Sequence, residues 1–264
     1  MTFVCSDPTS SQTQPKKRKK PTPHPVKHRS RCADGGAEHR TVLSIDIGSG
    51  HWGWWCGQIH SDLLANGVPR FVTKCCGVHD LTTHADFVAK PVTAKAPQKK
   101  KKQLPTRDVV RNLSAMIQSH FNQEWHAANQ VDAVFVEAQM ATNVRAQCIA
   151  TATELAFSYT APTTVRIAPV GARCKIEFMR RLFPHLLPTP EAEAAMKPPA
   201  RKRMRKAASV KCAHELDPDL GQIAEWTPAS SPAWQKSGRR KMDDIADCLV
   251  QALASAAKLK LSKK

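Results

Sequence analysis

Along Val42–Gly50, VLSIDIGSG, apolar and polar positions predict a buried strand entering a tight turn. Leu43, Ile45 and Ile47 share one face, and Val42, Ser44 and Asp46 share the other. Two more strands follow, HWGWWCGQIH and PRFVTKCCGV. The Asn66-Gly67 step between them favours a hairpin turn, so an antiparallel three-stranded start is expected. Trp52, Trp54 and Trp55 are read as core. The nearby Cys56, His60, Cys75, Cys76, His79 and His84 match no four-ligand zinc spacing. Residues 85–105 read as an exposed polar connection containing QKKKK.

Helical spacing returns at Thr106, an expected N-cap. Val109, Val110, Leu113, Met116, Ile117 and Phe121 predict a helix to about Trp125. VDAVFVEAQ is a short β-branched strand ending in Glu137. Asn143–Tyr159 predicts a helix whose Ala146, Ala150, Ala152 and Ala156 admit close approach of another helix, and TTVRIAPV a further strand. Ala172–Leu182 reads as a short basic helix. Pro184–Gly238 mixes prolines with the cluster Arg201–Lys206 and reads as an insertion that is disordered or folds on a polyanion. In KMDDIADCLVQALASAAK, Ile245, Leu249, Leu253 and Ala256 form an apolar helical stripe, and Asp244 and Asp247 project side by side from its start.

Composition changes this picture in two ways. The chain has 264 residues, 40 Lys and Arg against 22 Asp and Glu, and 19 prolines, which suits one domain with tails and an insertion. Residues 1–40 read as a disordered basic tail, 41–258 as the domain, 184–238 as its insertion, and 259–264 as a basic C-terminal tail. The net charge of +18 makes nucleic acid the expected partner. PKKRKK, with Lys16, Lys17, Arg18, Lys19 and Lys20, suits a nuclear localisation signal, a phosphate patch or a plain solvated run. No apolar run is long enough for a bilayer, and nine cysteines without a CxxC read as reduced thiols, so a soluble nuclear or cytoplasmic protein is expected ahead of a mitochondrial one.

Asp46 and Glu137 are anomalous because an ionised carboxylate in an apolar strand is costly unless compensated. Asp46 could merely cap its turn, and Asp243 and Asp244 could serve the helix dipole. Taken together, Asp46, Glu137, Asp244 and Asp247 make more sense as a cage for Mg²⁺ or Mn²⁺. Two ions about 4 Å apart can activate a water and stabilise the leaving oxygen of a phosphodiester.

The order of IDIG on a strand, VE closing a later strand and DDIAD opening the last helix resembles the Holliday-junction resolvases. The likeness is to the poxvirus-type and mitochondrial branch of the RuvC-like group, over residues 41–183 and 239–258. It implies an α/β, RNase H-like fold with a five-stranded mixed sheet flanked by helices. It places four acidic metal ligands on Asp46, Glu137, Asp244 and Asp247, and a phosphate-contacting base after the fifth strand, Lys175 ahead of Arg173. The implied activity is metal-dependent endonucleolytic cleavage of four-way or branched DNA by a homodimer with its Asn143–Tyr159 helix near the two-fold axis. A large DNA virus would suit the kinship. Arg173, Lys175, Arg201, Lys202 and Arg203 join the N-terminal run as expected nucleic-acid contacts. IDIGSG also opens the sugar-kinase and actin-like fold, but the Gly-Gly adenosine motif that fold needs does not follow it here. Another RNase H-like nuclease, acting on hybrids or transposon-like ends, and a non-catalytic nucleic-acid-binding protein remain the alternatives. Asp243 leaves the register of the final acidic pair open by one residue.

Overall fold

The alternation from Thr41 onward forms a strand in which every residue from Thr41 to Ile47 is buried and pairs with the next strand, Thr41 to Ile45 pairing on the other side as well. The computed structural model describes residues 39–48, 51–81, 104–220 and 242–258, with the backbone of 224–226. The PKKRKK run, the QKKKK connection, Ser49 and Gly50, and the tail 259–264 lie outside the described residues.

β1 (His39–Ile47), β2 (His51–Leu63) and β3 (Pro69–Asp80) form the expected antiparallel meander. Gly67 turns the β2-β3 connection at φ +78°, a backbone conformation that glycine adopts without a Cβ penalty. β4 (Val131–Ala138) pairs parallel to β1, and β5 (Arg166–Gly171) parallel to β4. These five strands make the mixed sheet with flanking helices that was expected. A sixth, three-residue strand, β6 (Ala224–Trp226), adds to the β3 edge and completes the order β5-β4-β1-β2-β3-β6.

The helices cover both faces. On one, α1 (Thr106–His120) and α3 (Val144–Thr160) bury Val109, Leu113, Ile117, Ile149 and Phe157 against Leu43, Ile45, Ile47, Trp52 and Trp54. The helix expected to reach Trp125 breaks at Phe121. Asn122 then caps a separate α2 (Gln123–Asn129) by accepting from the Trp125 N–H at 2.9 Å. The residue capping α1 is Pro105, not Thr106. Phe121 fills the corner, its ring 4.7 Å from Trp125, 5.3 Å from Trp54 and 5.4 Å from Trp52. All three strand tryptophans are buried, as expected.

On the other face lie α4 (Arg173–Leu182), α5 (Pro190–Ala195), α6 (Pro198–Leu216) and α7 (Met242–Lys258). Cys174, Phe178, Ala208, Cys212, Ala246, Leu249 and Val250 pack there with Val42, Trp55 and Phe135. Residues 184–220 are thus folded against the sheet, which corrects the disordered alternative read for that part of 184–238. Its prolines start helices, Pro190 and Pro198 each standing in a first helical turn where the missing N–H costs nothing. Buried Glu193 of α5 then pairs with Arg180 of α4 and Arg205 of α6. Among the described residues no helix is long and apolar enough to cross a membrane.

The small face of α3 admits another helix, as expected, and that helix is α1 of the same chain. Ala146 and Ala150 point inward at 1% and 6% exposure, so they pack within this chain. The outward side carries Val144, Cys148, Thr151, Leu155 and Tyr159, all exposed and spaced along one stripe.

Candidate active site

Period two decides where the carboxylates point. Asp46 lies on the face of β1 opposite Leu43, Ile45 and Ile47, and Glu137 on the face of β4 shared with Ala133 and Phe135. Both strands are parallel and adjacent, so the two acids reach the same end of the sheet on the side covered by α4, α6 and α7. Asp247 reaches them from α7, which is held against β1 by Gln251 donating to the Ile45 carbonyl at 3.1 Å. α4 supplies Lys175. Its ammonium stands 2.8 Å from Glu137, 3.4 Å from Asp46 and 3.7 Å from Asp247. All the side chains of this quartet are buried or nearly so.

One ammonium cannot neutralise three carboxylates. Burial pushes Asp46 up to about 7, with Lys175 opposing that rise and Glu137 adding to it. Burial also opposes ionisation of Glu137, but Lys175 and the shared hydrogen bond with Asp46 outweigh it and hold Glu137 below its ordinary value. Asp247 is raised by burial, Lys175 and a Ser209 hydrogen bond only partly offsetting it. Lys175 stays protonated, since Asp46, Asp247 and Glu137 overcome the cost of its burial. The cluster thus holds more negative charge than its cations balance, and Asp46 relieves the excess by taking a proton near neutrality.

The fourth expected acid, Asp244, belongs to the same helix start but meets a different cation. Lys206 of α6 stands 2.5 Å from Asp243 and 3.4 Å from Asp244. Asp244 approaches the sheet at Gly53, the register partner of Asp46. A Cβ at Gly53 would lie 3.0 Å from the Asp244 Cβ and 3.1 Å from its carbonyl oxygen. Gly53 is therefore part of the site's construction, as is Gln139, whose amide donates to Glu137 at 3.0 Å and to the Ile47 carbonyl at 3.3 Å. Lys206, Ser209, Gly53 and Gln139 were missed from sequence. The only available signal was the position of Gln139, two residues past the anomalous Glu137.

Other expected contacts are placed as follows. Arg173 is exposed and pairs with Glu177 at 2.9 Å, away from the acids that its neighbour Lys175 joins. Arg201 is half-buried and spends its guanidinium on the carbonyls of Ala194 and Met196. Lys202 and Arg203 are exposed on α6, one turn before Lys206. Lys16–Lys20 lie outside the described residues.

The oxygen donors from β1, β4 and α7 are of the kind that hard divalent cations take. As the side chains stand, no group of three or more His, Cys, Asp or Glu among the described residues is disposed to hold a metal ion. Lys175 is the cation between them. The donor set fits a divalent ion in charge and chemistry, provided that Lys175 yields its place.

No protein-family model and no curated protein matches this chain. Among solved structures it is similar to RuvC of Thermus thermophilus, at 14% identity and a TM-score of 0.43, covering 84% of this chain and 97% of that one. The same values for identity, TM-score and share of this chain hold for T. thermophilus RuvC in complex with a Holliday junction substrate, of which 96% is covered. The Fowlpox virus resolvase in complex with substrate Holliday junction DNA is similar at 13% identity and a TM-score of 0.40, covering 84% and 99%.

Proposed function

We propose that this protein is a metal-dependent endonuclease that resolves four-way and other branched DNA junctions. The observation that carries the proposal is the convergence of Asp46, Glu137 and Asp247, from two strands and a distant helix, on Lys175 with negative charge in excess. A structural ion pair needs one acid per base. A cluster with surplus buried carboxylates is instead suited to a further cation, and a net charge of +18 to a polyanionic substrate.

Asp46, Glu137, Asp247 and Asp244 would hold Mg²⁺ or Mn²⁺, two ions per site. When bound, these ions activate a water and stabilise the leaving oxygen. Lys175, displaced from the carboxylates, pairs with the scissile phosphate. Gln139 keeps Glu137 oriented through its two donated hydrogen bonds. The exposed Lys202 and Arg203 bind flanking phosphates. The active form is a homodimer joined along the Val144, Leu155 and Tyr159 stripe, because a junction with approximate two-fold symmetry needs two nicks that one site cannot reach together. A nuclear or cytoplasmic location remains part of this reading.

Incubation with a synthetic four-way junction in Mg²⁺, beside the same sequences as linear duplex and beside a chelator control, tests the function. Paired symmetric nicks in the junction alone, lost with chelator, are expected. Equal cutting of the duplex, or none of either, overturns it. Light scattering with and without Tyr159→Glu tests the dimer.

A further inference from the structure

The start of α7 carries two adjacent acids, and the helix facing it treats them unequally. Lys206 is committed to Asp243 at 2.5 Å and reaches Asp244 only at 3.4 Å, the outer limit of a hydrogen bond. One turn further along α6, Ser209 donates to Asp247. Lys206 and Ser209 are three residues apart, and so are Asp244 and Asp247, so α6 runs beside the acidic edge of α7 as a matching polar strip. Ala208, Cys212 and Ala213 bury the adjoining side of α6 in the same core as Ala246, Leu249 and Val250, which fixes the two helices against each other. Asp244 is pressed toward the sheet at Gly53, whereas Asp243 is turned to Lys206.

We propose that Asp243 is a positioning residue: it detains Lys206, and so leaves Asp244, not Asp243, to complete the cation site. Resting on the metal-dependent reading above, this assigns the final acidic pair its register and gives α6 a role in the site. Were Asp243 absent, the half-buried ammonium of Lys206 would find its next partner in Asp244, already within 3.4 Å, and would compete with the metal for it.

The test is Mn²⁺ binding to the full-length protein by calorimetry, without DNA, so that no activity enters the readout. Asp243→Asn should weaken Mn²⁺ binding by about tenfold, the order expected of one close, partly screened charge. Adding Lys206→Met to it should restore affinity to within about twofold of wild type, because the competitor is gone. Lys206→Met with Asp244→Asn has the same net charge but lacks the ligand, and should stay weak. Melting temperatures confirm that each variant folds, and Lys206→Gln replaces Lys206→Met if the latter does not. A double variant with Asp243→Asn that stays as weak as Asp243→Asn alone makes Asp243 itself a ligand and overturns the proposal. Equal recovery of both double variants reduces the pair to a charge effect and also overturns it, as does wild-type affinity in Asp243→Asn. A wild-type protein that binds no Mn²⁺ refutes the metal-dependent reading itself, a distinct result.

Discussion

On the α1/α3 side of the sheet, buried polar groups sit among aromatic rings and are kept neutral. His79 lies 6.4 Å from the Trp54 ring and 5.4 Å from that of His120, and burial lowers its pKa to about 4, His120 adding to the shift. His126, buried near Phe157, is lowered by burial too. On the α4/α7 side, at a similar depth, Asp46, Glu137, Asp247 and Lys175 are charged or share a proton, and hold one another. Desolvation acts on both faces alike. They differ in what each polar group finds opposite it: the acids face the Lys175 ammonium, which keeps charge in place on that side.

The strongest break in this comparison comes from neutralising the acid face. Asp46→Asn or Glu137→Gln should lower junction cleavage by about a thousandfold or more, some 4 kcal/mol of barrier, while junction binding survives because phosphates are held by Lys and Arg. Single-turnover cleavage and gel-shift titration measure the two separately. Near wild-type cutting by either variant would remove these residues from the active site.

The aromatic face should answer to volume and not to charge. Phe121→Ala removes a ring with three aromatic neighbours within 5.4 Å and should cost about 3–4 kcal/mol in chemical denaturation. At temperatures where the variant stays folded, its cleavage rate should hold. A large loss of activity without loss of stability would mean that the two faces are coupled.

How far this division could be read from sequence depends on whether a signal is local. The strands carrying Asp46 and Glu137 announced themselves because a carboxylate interrupts an apolar alternation, and the α7 acids because a helical stripe begins beside them. Their meeting on Lys175 was not legible: the resemblance placed Lys175 on the phosphate, whereas its ammonium stands among the carboxylates. α6 was hidden: five prolines between Pro184 and Pro199 and the run RKRMRK mask its apolar side, although Pro190 and Pro198 begin helices. Gly53 was illegible for another reason. Its value lies in contact with Asp244, nearly 200 residues away, and nothing near it in sequence reports that approach.

Gly53 gives the next prediction, since it joins the two faces through one strand. Gly53→Ala puts a methyl group 3.0 Å from the Asp244 Cβ and 3.1 Å from its backbone, so α7 must shift. Overpacking of this kind costs about 1–3 kcal/mol, and here it should also lower Mn²⁺ affinity, whereas Phe121→Ala should not. Calorimetry on both variants makes the comparison; unchanged Mn²⁺ affinity in Gly53→Ala would detach β2 from the site.

The smallest expected effect is a response to acid confined to the aromatic face. His79 has a folded pKa of about 4, below the 6.5 of the unfolded chain, so the unfolded state binds the proton first as pH falls. Its contribution to stability is intact above about pH 6.5, declines as the pH drops below that value, and is exhausted once pH passes through 4. Between pH 7 and 5.5 this one residue should cost about 1 kcal/mol. The experiment belongs in an Asp46→Asn background, which removes the carboxylate held near 7 on the other face. Urea denaturation at the two pH values, with and without His79→Phe, isolates the histidine. The added substitution should reduce the decline, leaving the slope due to His126 and His60, both lowered in the same direction by burial. An undiminished decline in the His79→Phe protein would show that the aromatic face does not exclude the proton in the way its burial requires.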